Sequence, residues 1–324
     1  RISDANQLRK AGLGLLGNIV GDKKAVACIE DTAVALSDLK PFIMEFSEIM
    51  KGYDQKAVYY AHAGAGELHL RPILNLKDQS DVALFRAITT DVAHLTKKYQ
   101  GSFSGEHGDG IVRAEFIPFL IGDKNYDLLR KVKAVFDPNN LFNPHKIVDP
   151  FPMDLSLRFE PGRTEPEIDT LFDFEDSLGY LRAVERCNGS GDCRKTEKSS
   201  GGMCPSYHAT REEKDTTRAR ANALRIALTE NNKEKVFASE DAIEVLDLCV
   251  SCKACASECP SNVDMATLKS EYLYQYQEQK GYKLRSKLFA YSTLINRFSS
   301  KIAPVTRLVF SSPIASVIKS LSGI

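Results

Sequence analysis

The sequence has no tryptophan, no excess of either charge and no long apolar run. The missing Trp excludes nothing by itself. Basic and acidic side chains both number 43, so the formal net charge is zero. Whole-molecule charge therefore gives no reason to expect a nucleic-acid or membrane partner. No stretch approaches the ~18 apolar residues of a spanning helix. Residues Arg1 to Lys10 are polar and do not read as a signal peptide. Cysteine is absent between Cys28 and Cys187, and acidic residues are absent from the segment after Lys280.

What is present bounds the answer further. A chain of 324 residues, 43% apolar and 27% charged, has room for two globular domains. Seven of its eight cysteines fall between Cys187 and Cys259. A chain this large does not need disulfides to supplement its core. The crowded thiols therefore suggest metal ligation in a reducing, cytoplasmic compartment.

Periodicity predicts two regions. Residues 1–150 read as α+β. A buried strand is expected at Lys24–Glu30, a helix at Leu36–Met50, and two strands at Ala57–Ala61 and Glu67–Ile73 around a glycine turn. Val82, Phe85, Ile88, Val92 and Leu95 recur at helical spacing over 80–99. A further helix follows Asp123 and stops at Asp137-Pro138. Residues 151–184, rich in Pro, Asp and Glu, read as a linker. From 185 to 280 the chain looks helical, with helices at Thr216–Leu228, at Ser239–Leu248 and from about Val263. Residues 281–324 read as a basic extension in which Leu284, Leu288, Tyr291, Ile295, Phe298 and Ile302 form one amphipathic helix. Its apolar face either packs on protein or meets a membrane surface peripherally.

Cys249-Val-Ser-Cys252-Lys-Ala-Cys255-Ala-Ser-Glu-Cys259-Pro260 has the spacing of a [4Fe-4S] site. Three thiolates must wrap one compact cluster, so they come from one tight loop. The fourth enters a helix leading away and ligates the second cluster of a two-cluster protein. Pro260 suits a first helical turn. Structural zinc, the rival, more often shows two separated cysteine pairs. Upstream, Cys187-Asn-Gly-Ser-Gly-Asp-Cys193 and Cys204-Pro205 form the other half of the framework, with Ser190 where the middle cysteine would stand. By the crossing rule Cys204 completes the cluster of Cys249, Cys252 and Cys255, and Cys259 joins Cys187 and Cys193. That second site holds a cluster with Ser190, water or another fourth ligand, holds a three-iron cluster, or is empty with packed thiols.

His62-Ala-Gly-Ala-Gly-Glu-Leu-His69 places two imidazoles around a glycine turn, and Ser104-Gly-Glu106-His107-Gly108 adds a carboxylate and a third imidazole. Three neutral nitrogens and a carboxylate suit a divalent metal with an open position, and a free imidazole suits proton abstraction. These residues read equally well as ordinary loop histidines.

Those two motifs, with Asp137-Pro-Asn-Asn-Leu-Phe-Asn-Pro144, resemble the C-terminal substrate domain of FAD-linked oxidases of the vanillyl-alcohol-oxidase type, which include D-lactate, glycolate and D-2-hydroxyglutarate dehydrogenases. Gly12-Leu-Gly-Leu-Leu16, Glu30-Asp-Thr-Ala-Val34 and the cysteine region are similar to bacterial fusions of such an oxidase with an iron–sulfur protein. The resemblance implies a ferredoxin-like α/β substrate (cap) domain followed by an all-α helical ferredoxin domain. It implies a divalent metal such as Zn or Mn on His62, His69 and Glu106, and His107 as general base. Arg9 and Arg71 would bind an anionic substrate, and Asn143 and Lys146 would contact the flavin. Ala65 and Glu67 depart from the family's usual Asp and Asn. The main FAD-binding domain has no counterpart here, so the chain reads as a fragment. The implied activity is FAD-dependent oxidation of a D-2-hydroxy acid with electrons passed to [4Fe-4S] clusters. The alternative is a non-catalytic electron-transfer subunit serving a partner flavoprotein.

Overall fold

A computed structural model describes residues 16–229 and 236–322, together with Ile2, Asp4 and Gly12. Arg9 lies outside the described residues. The chain divides into two compact units, Arg1–Glu165 with Glu175–Arg182, and Pro166–Phe174 with Ala183–Ile324.

The first unit is α+β. Its sheet has four described strands, β1 (Lys24–Ala25), β2 (Ile29–Ala33), β3 (Ala57–His62) and β4 (Glu67–Leu74), and every pairing is antiparallel to β4. The single strand expected at Lys24–Glu30 is thus two short ones with Val26–Cys28 between them. Helix α1 (Leu39–Gly52) and helix α2 (Gln79–Lys98) cover the sheet. Phe42, Phe46 and Met50 of α1 and Phe85, Ile88 and Val92 of α2 meet Leu68, Leu70 and Leu74 of β4 in one core. Asp78 caps α2 by accepting from Ser80 N at 2.7 Å, and Lys97 and Lys98 complement its C-terminal dipole. Helix α3 (Asp123–Phe136) ends at Asp137, whose carboxylate accepts from the N–H groups of Leu141 and Phe142. The described sheet and helices establish a mixed fold.

Among its described residues the second unit has helices and loops and no strand. Helices α4 (Pro205–Thr210), α5 (Thr217–Thr229), α6 (Glu240–Asp247), α7 (Ala254–Glu258) and α8 (Met265–Lys280) surround the cysteines. Leu224, Leu228, Leu246, Val263, Leu268 and Tyr272 are buried among them. Ser239 caps α6, and Asp264 caps α8 through the N–H groups of Ala266 and Thr267. Glu271 of α8 is fully buried and accepts from the N–H groups of Leu171 and Phe172.

The extension is not one amphipathic helix. It is four short ones, α9 (Leu284–Ala290), α10 (Ser292–Lys301), α11 (Ala303–Phe310) and α12 (Ile314–Ser322). Pro304 and Pro313 explain two of the breaks, since proline cannot donate within a continuing helix. Many of its apolar side chains stay exposed, Phe298 and Leu308 among them. Among the described residues no helix is long and apolar enough to cross a membrane.

Candidate functional site

The β3–β4 hairpin assembles the first site. Its register places His62 opposite Glu67 and Tyr60 opposite His69. Along β4, side chains alternate, so Glu67, His69 and Arg71 share one face while Leu68 and Leu70 enter the core on the other. The turn closes at Gly66 with φ +75°, where an added Cβ would fall 2.1 Å from the Val34 carbonyl oxygen. Only glycine fits there.

A β-bulge supplies two acids to the same face. Between Ile29↔Leu70 and Thr32↔Leu68, β2 takes three steps while β4 takes two. The surplus falls at Glu30-Asp31, and Asp31 has φ 54°. Glu30 accepts from Arg71 Nε at 2.8 Å and Nη2 at 2.5 Å, and from Tyr60 Oη at 3.0 Å. His69 Nδ1 lies 3.1 Å from Glu30 Oε1, close but without hydrogen-bond alignment. Burial opposes ionisation of Glu30, but Arg71 outweighs it and holds the carboxyl below its ordinary range. Burial, against the pull of Glu30, pushes the His69 pKa down, so its imidazole is neutral at pH 7. A proton on Nδ1, facing Glu30, leaves the Nε2 lone pair free.

Asp31 is fully buried and organises the second loop. Its Oδ2 accepts from Glu106 N at 3.0 Å, His107 N at 2.5 Å and Ser104 Oγ at 3.2 Å. Its Oδ1 accepts from Arg113 Nη1 at 2.6 Å, and its carbonyl oxygen accepts from Gly105 N at 2.7 Å. Burial would raise its pKa, but the two backbone donors and the Arg113 charge lower it on balance. His107, half exposed, turns Nδ1 to within 3.4 Å of Asp31 Oδ2. Its ring centroid lies 5.9 Å from that of His69, which lies 5.3 Å from that of His62.

These elements bring donor atoms of His62, Glu67 and Glu106 within 4.8 Å of one another. Glu67 is 3% exposed, and its Oε1 has no hydrogen-bond partner. Burial first, then the neighbouring Glu106 carboxylate, raise its pKa. Two carboxylates this close need a shared proton or cation. An orphaned buried oxygen beside a carboxylate and an imidazole fits a divalent ion. The His69 ring lies beside this group, its centroid 5.3 Å from that of His62. Glu67, Glu30, Asp31 and Arg113 escaped the motif reading. For Glu67 the signal was there, since Glu-Leu-His-Leu-Arg alternates along one strand.

Of the remaining expected residues, Arg71 has two nitrogens on Glu30. Asn143 and Lys146 are exposed on the segment after α3, Asn143 with φ 46°. Cys28 is buried in the first core, where burial pushes its thiol up to about 11. It is a packing residue.

The second unit gathers the other cysteines. Cys204, Cys249, Cys252 and Cys255 line one cavity. Cys187, Cys193 and Cys259 line another, with Ser190 and Arg218. Among the described residues no cysteine belongs to a group of three donors within 4.8 Å. Four thiols in one cavity and three in the other are the donor type that iron–sulfur clusters take. Cys204 Sγ accepts from Thr217 N at 3.0 Å, and Cys255 Sγ accepts from Met265 N at 3.3 Å. Such donors stabilise thiolates and tune clusters. Lys269 pins the loop by donating to the carbonyl oxygens of Leu246 at 2.8 Å and Cys249 at 2.7 Å. Ser251 and Lys253 hold left-handed backbone on either side of Cys252.

Residues 3–147 match the family of FAD linked oxidases, C-terminal domain, and residues 186–264 match the 4Fe-4S dicluster domain. The chain thus joins an FAD-linked oxidase C-terminal domain to a two-cluster iron–sulfur domain, and the two indicate FAD and iron–sulfur clusters as cofactors. The chain is similar to the D-2-hydroxyglutarate dehydrogenase of Pseudomonas putida, 33% identical over 313 residues, covering 87% of this chain and 31% of that protein. The Escherichia coli K12 protein of the same name is 32% identical over 317 residues, with coverage of 87% and 31%. The D-lactate dehydrogenase of Archaeoglobus fulgidus is 29% identical over 128 residues, 40% of this chain and 28% of that protein. The chain spans about a third of the length of the first two relatives.

Proposed function

We propose that this chain is the substrate-binding and iron–sulfur portion of an FAD-dependent dehydrogenase. It oxidises a D-2-hydroxy acid, D-2-hydroxyglutarate or D-lactate, to the 2-oxo acid and passes the electrons to its [4Fe-4S] clusters. The observation that carries this reading is the convergence of His62, Glu67 and Glu106 beside His69 and His107, in a chain that continues into two cysteine-lined cavities. The similarity to D-2-hydroxyglutarate dehydrogenases supports the substrate class.

His62, His69 and Glu106 would hold a divalent ion such as Zn or Mn, with Glu67 as a further donor, and the ion would supply Lewis acidity. Bound FAD supplies the hydride acceptor. His107 is the general base. With Nδ1 toward Asp31, its Nε2 takes the substrate hydroxyl proton. Arg71, its Nε and Nη2 on Glu30, offers Nη1 to a substrate carboxylate, and Arg9 offers a second cation. Asn143 and Lys146 face the flavin in this reading.

Flavin bleaching in the full-length protein, mixed anaerobically with D- and L-2-hydroxy acids, tests the proposal. Only D-acids should bleach it. His107→Ala should slow bleaching by about 10²–10⁴-fold. Glu67→Gln should lower bound divalent metal while iron and sulfide stay constant. Bleaching by L-acids alone, or at an unchanged rate in His107→Ala, would defeat the reading.

A further inference from the structure

The second cysteine cavity is lined by three thiols, and the Cys204 thiol that touches Cys193 at its edge lines the first cavity. Ser190 stands where the spacing calls for a cysteine, and it lines that cavity with Cys187, Cys193 and Cys259. Its loop is built around that position. Gly189 and Gly191 adopt φ 80° and 83°, turning the backbone sharply on both sides of Ser190. An added Cβ at Gly191 would fall 2.9 Å from Arg218 Nη1. Arg218 Nη1 donates to Gly189 O at 3.0 Å, and Arg218 Nε is fixed by Glu213 at 2.8 Å. Asn188 Oδ1 accepts from Ser190 N at 3.0 Å. The Ser190 hydroxyl donates to Asp192 Oδ2 at 3.0 Å, which leaves the oxygen lone pairs free to ligate.

We propose that Ser190 is the fourth ligand of the cluster held by Cys187, Cys193 and Cys259. It binds iron through its oxygen while the hydroxyl proton passes to Asp192, so the negative charge moves from that carboxylate to the ligating oxygen in the cavity that Arg218 lines. The two sites then differ in kind. The cavity of Cys204, Cys249, Cys252 and Cys255 offers four thiolates. The other offers three thiolates and one hard oxygen, a poorer match to a soft iron–sulfide core. The iron on that oxygen is the labile one. This inference rests on the iron–sulfur content of the chain and not on the hydroxy-acid reading, so the two fail separately.

The test uses full-length protein purified anaerobically, with iron and sulfide assays and electron paramagnetic resonance. Ferricyanide is the oxidant. It removes one electron from a [4Fe-4S]²⁺ cluster, leaving [3Fe-4S]⁺ and one released Fe²⁺. Wild type should carry two clusters and release one Fe²⁺ per chain as a three-iron signal appears. Ser190→Cys should retain that iron under the same treatment. Ser190→Ala should already hold a three-iron cluster on isolation, with about one iron fewer per chain. Cys252→Ala should lose the other cluster and keep the ferricyanide-sensitive one. A Ser190→Ala protein identical to wild type in iron count, spectrum and release would overturn the proposal. So would a wild type with iron for one cluster only.

Discussion

Asp31 ties more of the first site together than any histidine does. One buried carboxylate gathers two backbone N–H groups, a hydroxyl and the Arg113 guanidinium. Arg113 is itself 5% exposed and also donates to the carbonyl oxygens of Phe103 and Gly108. Asp31→Asn leaves that cation buried without its counter-charge and turns an amide N–H₂ toward donors. The expected cost is about 3–5 kcal/mol, read as a lower urea midpoint. The pH dependence has a definite sign. The Asp31 and Glu30 pKa values are both depressed in the folded state. Their stabilisation is therefore complete above the unfolded values, about 3.9 and 4.3, and is lost as pH falls through the folded ones. Wild type should weaken progressively in acid, and Asp31→Asn should show a flatter acid limb. An equal acid slope in both proteins would place the stabilisation elsewhere.

At the scale of elements, the hairpin is the part on which the donor group depends. Gly66→Ala keeps every ligand and changes only the turn, yet the new Cβ would meet the Val34 carbonyl oxygen at 2.1 Å with φ still required at +75°. Stability should fall by more than about 1 kcal/mol, and His62 should shift against Glu67, so bound divalent metal should drop with iron unchanged. Normal metal content and an unchanged midpoint would mean the turn can relax. Much of this element was readable in advance. Glu67-Leu-His-Leu-Arg71 alternates, so β4 declares itself, and the glycines announce the turn. The bulge in β2 did not, because a surplus residue at Glu30-Asp31 breaks no local pattern. Which partners those two acids find depends on Arg71 and Arg113, 41 and 82 residues away. The same limit explains the reading of residues 284–302 as one helix. The apolar spacing continues across Tyr291, but the N–H there bonds to the Lys287 and Phe289 carbonyl oxygens as one helix closes and the next begins.

For the whole molecule, the question is why an oxidase domain and a two-cluster domain share a chain. A hydride carries two electrons and an iron–sulfur cluster accepts one, so in the proposed reaction the second domain would convert one delivery into two single transfers. Removing one cluster ligand should therefore separate the halves of the reaction. In the full-length protein, Cys252→Ala removes a thiolate from the four-cysteine cavity without touching His62, Glu67, Glu106 or His107. Rapid mixing with a D-2-hydroxy acid should bleach the flavin at the wild-type rate. Reduction of the clusters, followed by their spectra, should be impaired, and reduced flavin should accumulate. An artificial acceptor that takes electrons from the flavin directly should restore turnover. Slow bleaching in Cys252→Ala would mean that the cysteine region supports the oxidase domain structurally. Cluster reduction at the wild-type rate would mean that electrons leave the flavin by another route, and the case for one continuous redox chain would fail there.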